Sequence, residues 1–192
     1  MKKFELTNEF ITNMFGTKLF RIRALVEFGD VEAGELGGYV EKESNLGHDD
    51  NAWVYDNAWV YGNARVYGDA QVSGDARVYD NAWVYGDAQV SGDARVCGNA
   101  RVYGDARVCG NGDYAYAHGF GSVNRTMTFF RLKDGGVGVR CGCFYGTLAQ
   151  FRDKIRETHG ESAIAEEYLD LAALMEKRFR RTGNEQKTEE ES

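Results

Sequence analysis

Four groups of side chains in this 192-residue chain have the types and spacing for chemistry. Cys141 and Cys143 are thiols one residue apart that could ligate zinc together with His159, although the usual two-residue zinc-knuckle spacing is absent. His48, His118 and His159 are the three histidines and so the only imidazole general bases. Asp69, Asp87 and Asp105 recur every eighteen residues. Gathered in one column, their carboxylates could hold calcium, or each could accept hydrogen bonds from its own turn amides beside arginines that offset the charge. The fourth group has the same spacing: Arg65 with Tyr67, Trp83 with Tyr85, and Arg101 with Tyr103. Guanidinium on indole beside a phenol ladder can stabilise an exposed sheet, form a subunit contact or receive a planar ligand such as a nucleotide. No phosphate-cradling loop with a lysine is present, the GSVN segment at 121–124 is not a nucleophile elbow, and no pattern supports a coenzyme A site. No catalytic residue and no cofactor is therefore predicted.

The aspartate and arginine–aromatic groups acquire positions only through the repeat that contains them. Valine recurs every six residues from Val54 to Val108, and alanine precedes each valine by two, from Ala52 to Ala106. Valine and alanine are the invariantly apolar positions, so they must face inward. The residues flanking each valine alternate outward, as a strand requires. Each buried valine contributes roughly 1.5–3 kcal/mol. With eighteen residues per coil, equivalent positions stack about 4.8 Å apart and three faces result. One carries Trp53/Tyr55, Gln71/Ser73, Gln89/Ser91 and Arg107/Cys109; another Trp59/Tyr61, Arg77/Tyr79 and Arg95/Cys97. The third carries Arg65, Tyr67, Trp83, Tyr85, Arg101 and Tyr103, with Trp83 between the two arginines, and is the predicted partner or ligand surface. Asn63, Asn81 and Asn99 form an amide column. Val40 and Leu46 already keep the six-residue step, but Leu46 to Val54 is eight residues, so two residues must bulge around His48–Asp50.

The flanks read differently. Residues 1–36 form an N-terminal cap with a strand over 18–28, and 37–113 form the coils. Residues 114–181 are predicted as a β-hairpin, closed by Asp134-Gly-Gly, and two helices. Thr147 and Gln150 form a capping box for the first helix, which carries Leu148, Phe151 and Ile155 and stops at Gly160. The second spans about 162–180, with Ile164, Tyr168, Leu171, Met175 and Phe179 on one stripe, and is expected to cover the last coil or to associate with copies of itself. Residues 182–192 read as a disordered acidic tail. Cys141 and Cys143 are placed on one side of a strand.

The net charge of −7 argues against general attraction to nucleic acid or to an anionic membrane. No apolar run follows the N-terminal lysines and none approaches a membrane span, so a cytoplasmic protein with reduced thiols is expected. The repeat resembles the hexapeptide repeat of left-handed parallel β-helices, the LpxA-like superfamily. The lead-in FGDVEAGELGGYV (28–40), followed by WVYDNA (53–58), is most similar to the YdcK-like branch, and the resemblance covers residues 18–113. The segments GSVNRTMTFF (121–130), CGCFYGTL (141–148) and THG (158–160) resemble a module on uncharacterised proteins of Gram-positive bacteria and their phages. The resemblance implies a single-stranded left-handed parallel β-helix, and with the flanks read above the fold expected is mainly β, with an N-terminal strand cap, a small C-terminal β-hairpin and two α-helices. The function expected is a non-enzymatic scaffold or binding protein of bacterial or phage origin, a homo-oligomer with a trimer favoured, whose β-helix faces bind a host protein or nucleotide. The alternatives are a hexapeptide acyltransferase-like enzyme, with His48 or His118 near a subunit interface, and a filament-forming structural protein.

Overall fold

The structure is a computed structural model that describes residues 2–121 and 123–190, with side chains through Thr182. The chain divides into two compact units, Met1–Asn111 and Gly112–Ser192.

In the first unit, β1 (Phe4–Thr12) and β2 (Lys18–Ala24) form an antiparallel hairpin, and β3 (Leu36–Val40) pairs antiparallel with β2. A 3-10 turn at Glu43–Asn45 leads into the coils. Their strands are β4 (Trp53–Val54), β5 (Trp59–Val60), β6 (Arg65–Val66), β7 (Gln71–Val72), β8 (Arg77–Val78), β9 (Trp83–Tyr85), β10 (Gln89–Val90), β11 (Arg95–Val96), β12 (Arg101–Tyr103) and β13 (Arg107–Val108). They are short because the chain turns a left-handed corner every six residues. Gly86 shows what a corner demands: its φ is +72°, and a Cβ there would lie 3.0 Å from the amide nitrogen of Gly104 in the next coil. Asp56 and Asp80 occupy the same kind of corner with φ of 52° and 59°. Each offsets the strain by accepting a hydrogen bond from an amide one coil on, Gly74 at 3.0 Å and Gly98 at 3.2 Å.

The strands stack in parallel into the sheets β4-β7-β10-β13 and β6-β9-β12, and β5-β8-β11 continues through β3 and β2 to β1. Val54 pairs with Val72, Val60 with Val78 and Val66 with Val84, the eighteen-residue register. In the first coil the register is two residues longer, Val40 with Val60 and Leu46 with Val66, and Asp50 sits in the bulge with φ of 57°. The unit is a parallel β-solenoid of about four turns. Every repeat valine from Val54 to Val108 and every repeat alanine from Ala52 to Ala106 is fully buried.

The N-terminal cap differs from the single strand expected over 18–28. β2 ends at Ala24, and the polar segment before it forms β1, whose register shifts between Leu6 and Phe10. That irregularity and the exposed Thr, Asn and Glu side chains obscure the strand alternation in the sequence. Trp53, placed outward by the repeat, is fully buried: Phe4 and Phe28 pack edge-on to its indole at 6.2 and 5.3 Å. The repeat rule fails there because the N-terminal segment covers β4.

The second unit holds a four-stranded antiparallel sheet in the order β14 (Tyr114–Phe120), β15 (Arg125–Arg131), β16 (Val137–Cys141), β17 (Phe144–Thr147). The expected hairpin is its centre, widened by a strand on each side. In β14 the strand formers Tyr114, Tyr116 and Phe120 are interrupted by Ala115, Ala117, His118 and Gly119, which weakens the strand signal. The chain reverses at Gly142 and Cys143, so Phe144 pairs with Cys141. The two thiols therefore do not share one side of a strand: Cys141 is buried and Cys143 exposed. α1 (Leu148–His159) starts with the Thr147–Gln150 capping box and ends at Gly160 with φ of 58°. α2 spans Ala163–Glu190, continuing past Arg180 through much of the segment whose composition predicts a tail. Tyr168, Leu171, Met175 and Phe179 join α1 and the sheet in one core, so the helical stripe is covered within its own unit. Ile164 is 36 % exposed and Ala165 takes the inward position instead.

Val84 lies mid-solenoid between the Val66 and Val102 layers. Val84→Ala should lower unfolding free energy by about 2 kcal/mol, and Ala82→Leu by ~1–3 kcal/mol through overpacking, both read from urea midpoints. An unchanged midpoint for both would contradict a close-packed coil interior.

Candidate functional site

The β6-β9-β12 face assembles the residues that sequence spacing assigns to it. Arg65 pairs with Trp83 and Trp83 with Arg101, while Tyr85 pairs with Tyr103. The guanidinium carbons lie 5.7 Å (Arg65) and 4.9 Å (Arg101) from the Trp83 ring centroid, one from each neighbouring coil. Tyr67 and Tyr85 stack at 4.8 Å with 7° between planes, and Tyr85 meets Tyr103 at 4.5 Å with a 35° tilt. Tyr67 also meets Trp83 edge-on at 6.1 Å. The coil positions these rings because backbone amides bond coil to coil, Arg65 to the Ala82 carbonyl at 2.9 Å and Tyr67 to Val84 at 3.1 Å. Indole faces attract cations through their quadrupole, so the column is a pre-formed aromatic and cationic surface. Arg65 and Arg101 are exposed and the rings half-buried. At one end of this face lies a cavity of about 220 Å³ bordered by Leu46, Gly47, Arg65, Tyr67 and Trp83.

The β5-β8-β11 face carries a second cluster that spacing alone did not single out. Arg77 lies 4.1 Å over the Trp59 ring, and Tyr61 and Tyr79 stack at 5.1 Å with 4° between planes. The same eighteen-residue columns contained this signal. A hydrogen bond with Cys97, reinforced by partial desolvation, raises the Tyr79 hydroxyl to about 12. Desolvation also raises Tyr61 and Tyr55. Amide columns occur at Asn63–Asn81 (3.2 Å) and, unanticipated, at Gln89–Gln71 (3.2 Å).

The histidines have structural partners. His48 stacks on Phe4 at 4.5 Å, its Nδ1 accepts the Lys3 amide at 3.2 Å, and its Nε2 lies 2.8 Å from Glu43. His118 Nδ1 lies 2.7 Å from the Thr126 hydroxyl, and the His159 ring is 5.7 Å from that of Tyr168. Ser122 of the GSVN segment is outside the described residues. Asp69, Asp87 and Asp105 are exposed at the corners, and Asp69 accepts a hydrogen bond from Asn51 at 2.8 Å. Among the described residues no three of His, Cys, Asp and Glu converge in an arrangement able to hold a metal ion, which applies to these aspartates and to Cys141, Cys143 and His159. No described helix is long and apolar enough to cross a membrane.

Lys3 carries an ammonium buried in the solenoid end. Its Nζ donates to the carbonyls of Asp50 (3.2 Å) and Ala52 (2.8 Å) and lies 4.5 Å over the Phe28 ring. Burial lowers its ammonium to about 8, against the partial opposition of nearby aspartates, chiefly Asp50.

Residues 58–72, 70–86, 88–100 and 94–110 match the family model described as YdcK Beta solenoid repeat. The matches lie within the regular coils. No curated protein matches the chain. With the stacked valine layers, they make the coils a YdcK-like β-solenoid.

Lys3 and Tyr79 set opposite pH dependences. The folded chain loses the Lys3 proton near pH 8 whereas the unfolded chain keeps it to about 10.5, so stability rises with pH across that window. The folded chain keeps the Tyr79 proton to about 12 whereas the unfolded chain loses it from 10, so stability falls above pH 10. Urea midpoints should climb from pH 8 to 10 and drop beyond it. Lys3→Met should flatten the climb and Tyr79→Phe should reduce the drop.

Proposed function

We propose that this YdcK-like β-solenoid protein is a non-enzymatic binding scaffold that self-associates, as a homotrimer, and takes its partner on a solenoid face. The observation that carries this reading is the Arg65–Trp83–Arg101 column beside Tyr67, Tyr85 and Tyr103 on a regular, rigid face. Aromatic and arginine side chains supply most of the binding energy where proteins meet, and here the stacking holds them in place before a partner arrives. The β5-β8-β11 face, with Trp59, Arg77, Tyr61 and Tyr79, is assigned to self-association. The partner is a host protein or a small anionic molecule, in a bacterial or phage-infected cell. Four free cysteines, one of them buried, fit the reducing cytoplasm.

Light scattering of the full chain tests self-association, and capture on the immobilised chain tests the partner face. The expected mass is three times the 21.5 kDa of the chain, falling to that of the monomer in Trp59→Ala/Arg77→Glu. Trp83→Ala/Arg101→Glu should keep the trimer and lose the captured partner. A monomeric parent chain would overturn the assembly, and equal capture by both forms would overturn the face assignment.

A further inference from the structure

The tyrosine column of the β6-β9-β12 face ends on a glycine. In the first coil Leu46 pairs with Val66, and the Gly47 amide donates to the Val66 carbonyl at 2.8 Å. Gly47 therefore stands where the next member of the Tyr103–Tyr85–Tyr67 column would stand. A Cβ on Gly47 would lie 3.1 Å from the Tyr67 Cβ, so the two positions are register neighbours. A ring missing at that step leaves a space, and the cavity of about 220 Å³ is found there. Its border includes Leu46 on the inner side, Tyr67 and Trp83 as aromatic surfaces, and Arg65 and Ser44 as polar groups. An engineered cavity of about 150 Å³ in another protein holds one benzene, so this volume suits one ring with a small substituent.

The polar border selects the substituent. Arg65 is exposed, and its only described partner is the Trp83 ring at 5.7 Å, which does not neutralise its charge. Glu43, the carboxylate of the neighbouring 3-10 turn, is held by Lys2 at 3.1 Å and His48 at 2.8 Å. A guanidinium with no carboxylate of its own, beside an open stacking step, fits a carboxylate carried on a ring. We infer that this cavity is a binding site for a single-ring aromatic carboxylate, its ring filling the column next to Tyr67 and its carboxylate paired with Arg65. The inference rests on the reading of this face as a binding surface and gives that surface a ligand class.

The test is saturation-transfer NMR on the full-length protein, with benzoate as the probe and benzyl alcohol as its uncharged counterpart. Benzoate should bind saturably, with a Kd on the order of 1 mM as befits nine heavy atoms. Arg65→Gln should weaken benzoate at least tenfold and leave the weaker benzyl alcohol signal within twofold. Arg107→Gln, on β13 of another face, should change neither. Absence of saturable benzoate binding, or equal weakening in Arg65→Gln and Arg107→Gln, overturns the site. If benzoate fails to bind while partner capture still depends on Trp83 and Arg101, the ligand site falls and the binding face stands. If capture is also insensitive to them, both fall.

Discussion

The narrow interior of the coil constrains everything else in the first unit. Each side of the coil contributes one valine and one alanine, all fully buried, and their size sets how closely opposite walls approach. A coil of that width closes only if the chain turns at every sixth residue, which places glycine or aspartate at left-handed corners. Identical coils then bond amide to carbonyl along their length. Side chains eighteen residues apart are brought to stacking distance whatever their chemistry. The aromatic and arginine columns follow from the core as much as from their own attraction.

The same constraint explains why the departures from the repeat are the informative places. The first coil is two residues longer, and its third side is built from a 3-10 turn and Leu46–Gly47 in place of a regular strand. Buried Asn45 replaces missing ladder bonds by donating to the carbonyls of Gly62 (3.2 Å) and Ala64 (2.8 Å). The solenoid end is then closed by β1 and β2, which bury Phe4, Leu19, Ile22 and Trp53. Edge strands left open invite pairing with other chains, and here an antiparallel hairpin extends one sheet beyond the coil. The histidine of this region, His48, is a packing and hydrogen-bonding element between Phe4, Lys3 and Glu43.

The second unit obeys ordinary layer rules. One face of an antiparallel sheet is covered by two helices, and the core includes Met127, Phe129, Phe151, Tyr168 and Phe179. Arg131 is tied to its edge, with guanidinium bonds to the Phe179 carbonyl at 2.9 Å and the Thr182 hydroxyl at 3.2 Å. Cys141 belongs to this core, and burial raises its thiol above the ordinary range, which suits a packing residue rather than a nucleophile.

By itself the sequence determined the coil: the valine and alanine positions, the eighteen-residue register, the three outward columns, the two-residue bulge and the α1 capping box. Each follows from a local period or a short-range hydrogen bond, and local periodicity survives in sequence because every repeat states it again. Tertiary structure alone decided what happens where nothing repeats. Trp53 is buried because Phe4 and Phe28 reach it from far along the chain, and β1 and β14 are strands because neighbouring strands pair with them. Cys141 and Cys143 part because the chain reverses at Gly142. The vacant step beside Tyr67 exists because a register set by Leu46 and Val66 brings Gly47 there, twenty residues away in place of eighteen. Such features depend on single long-range contacts, and a single contact leaves no period to read.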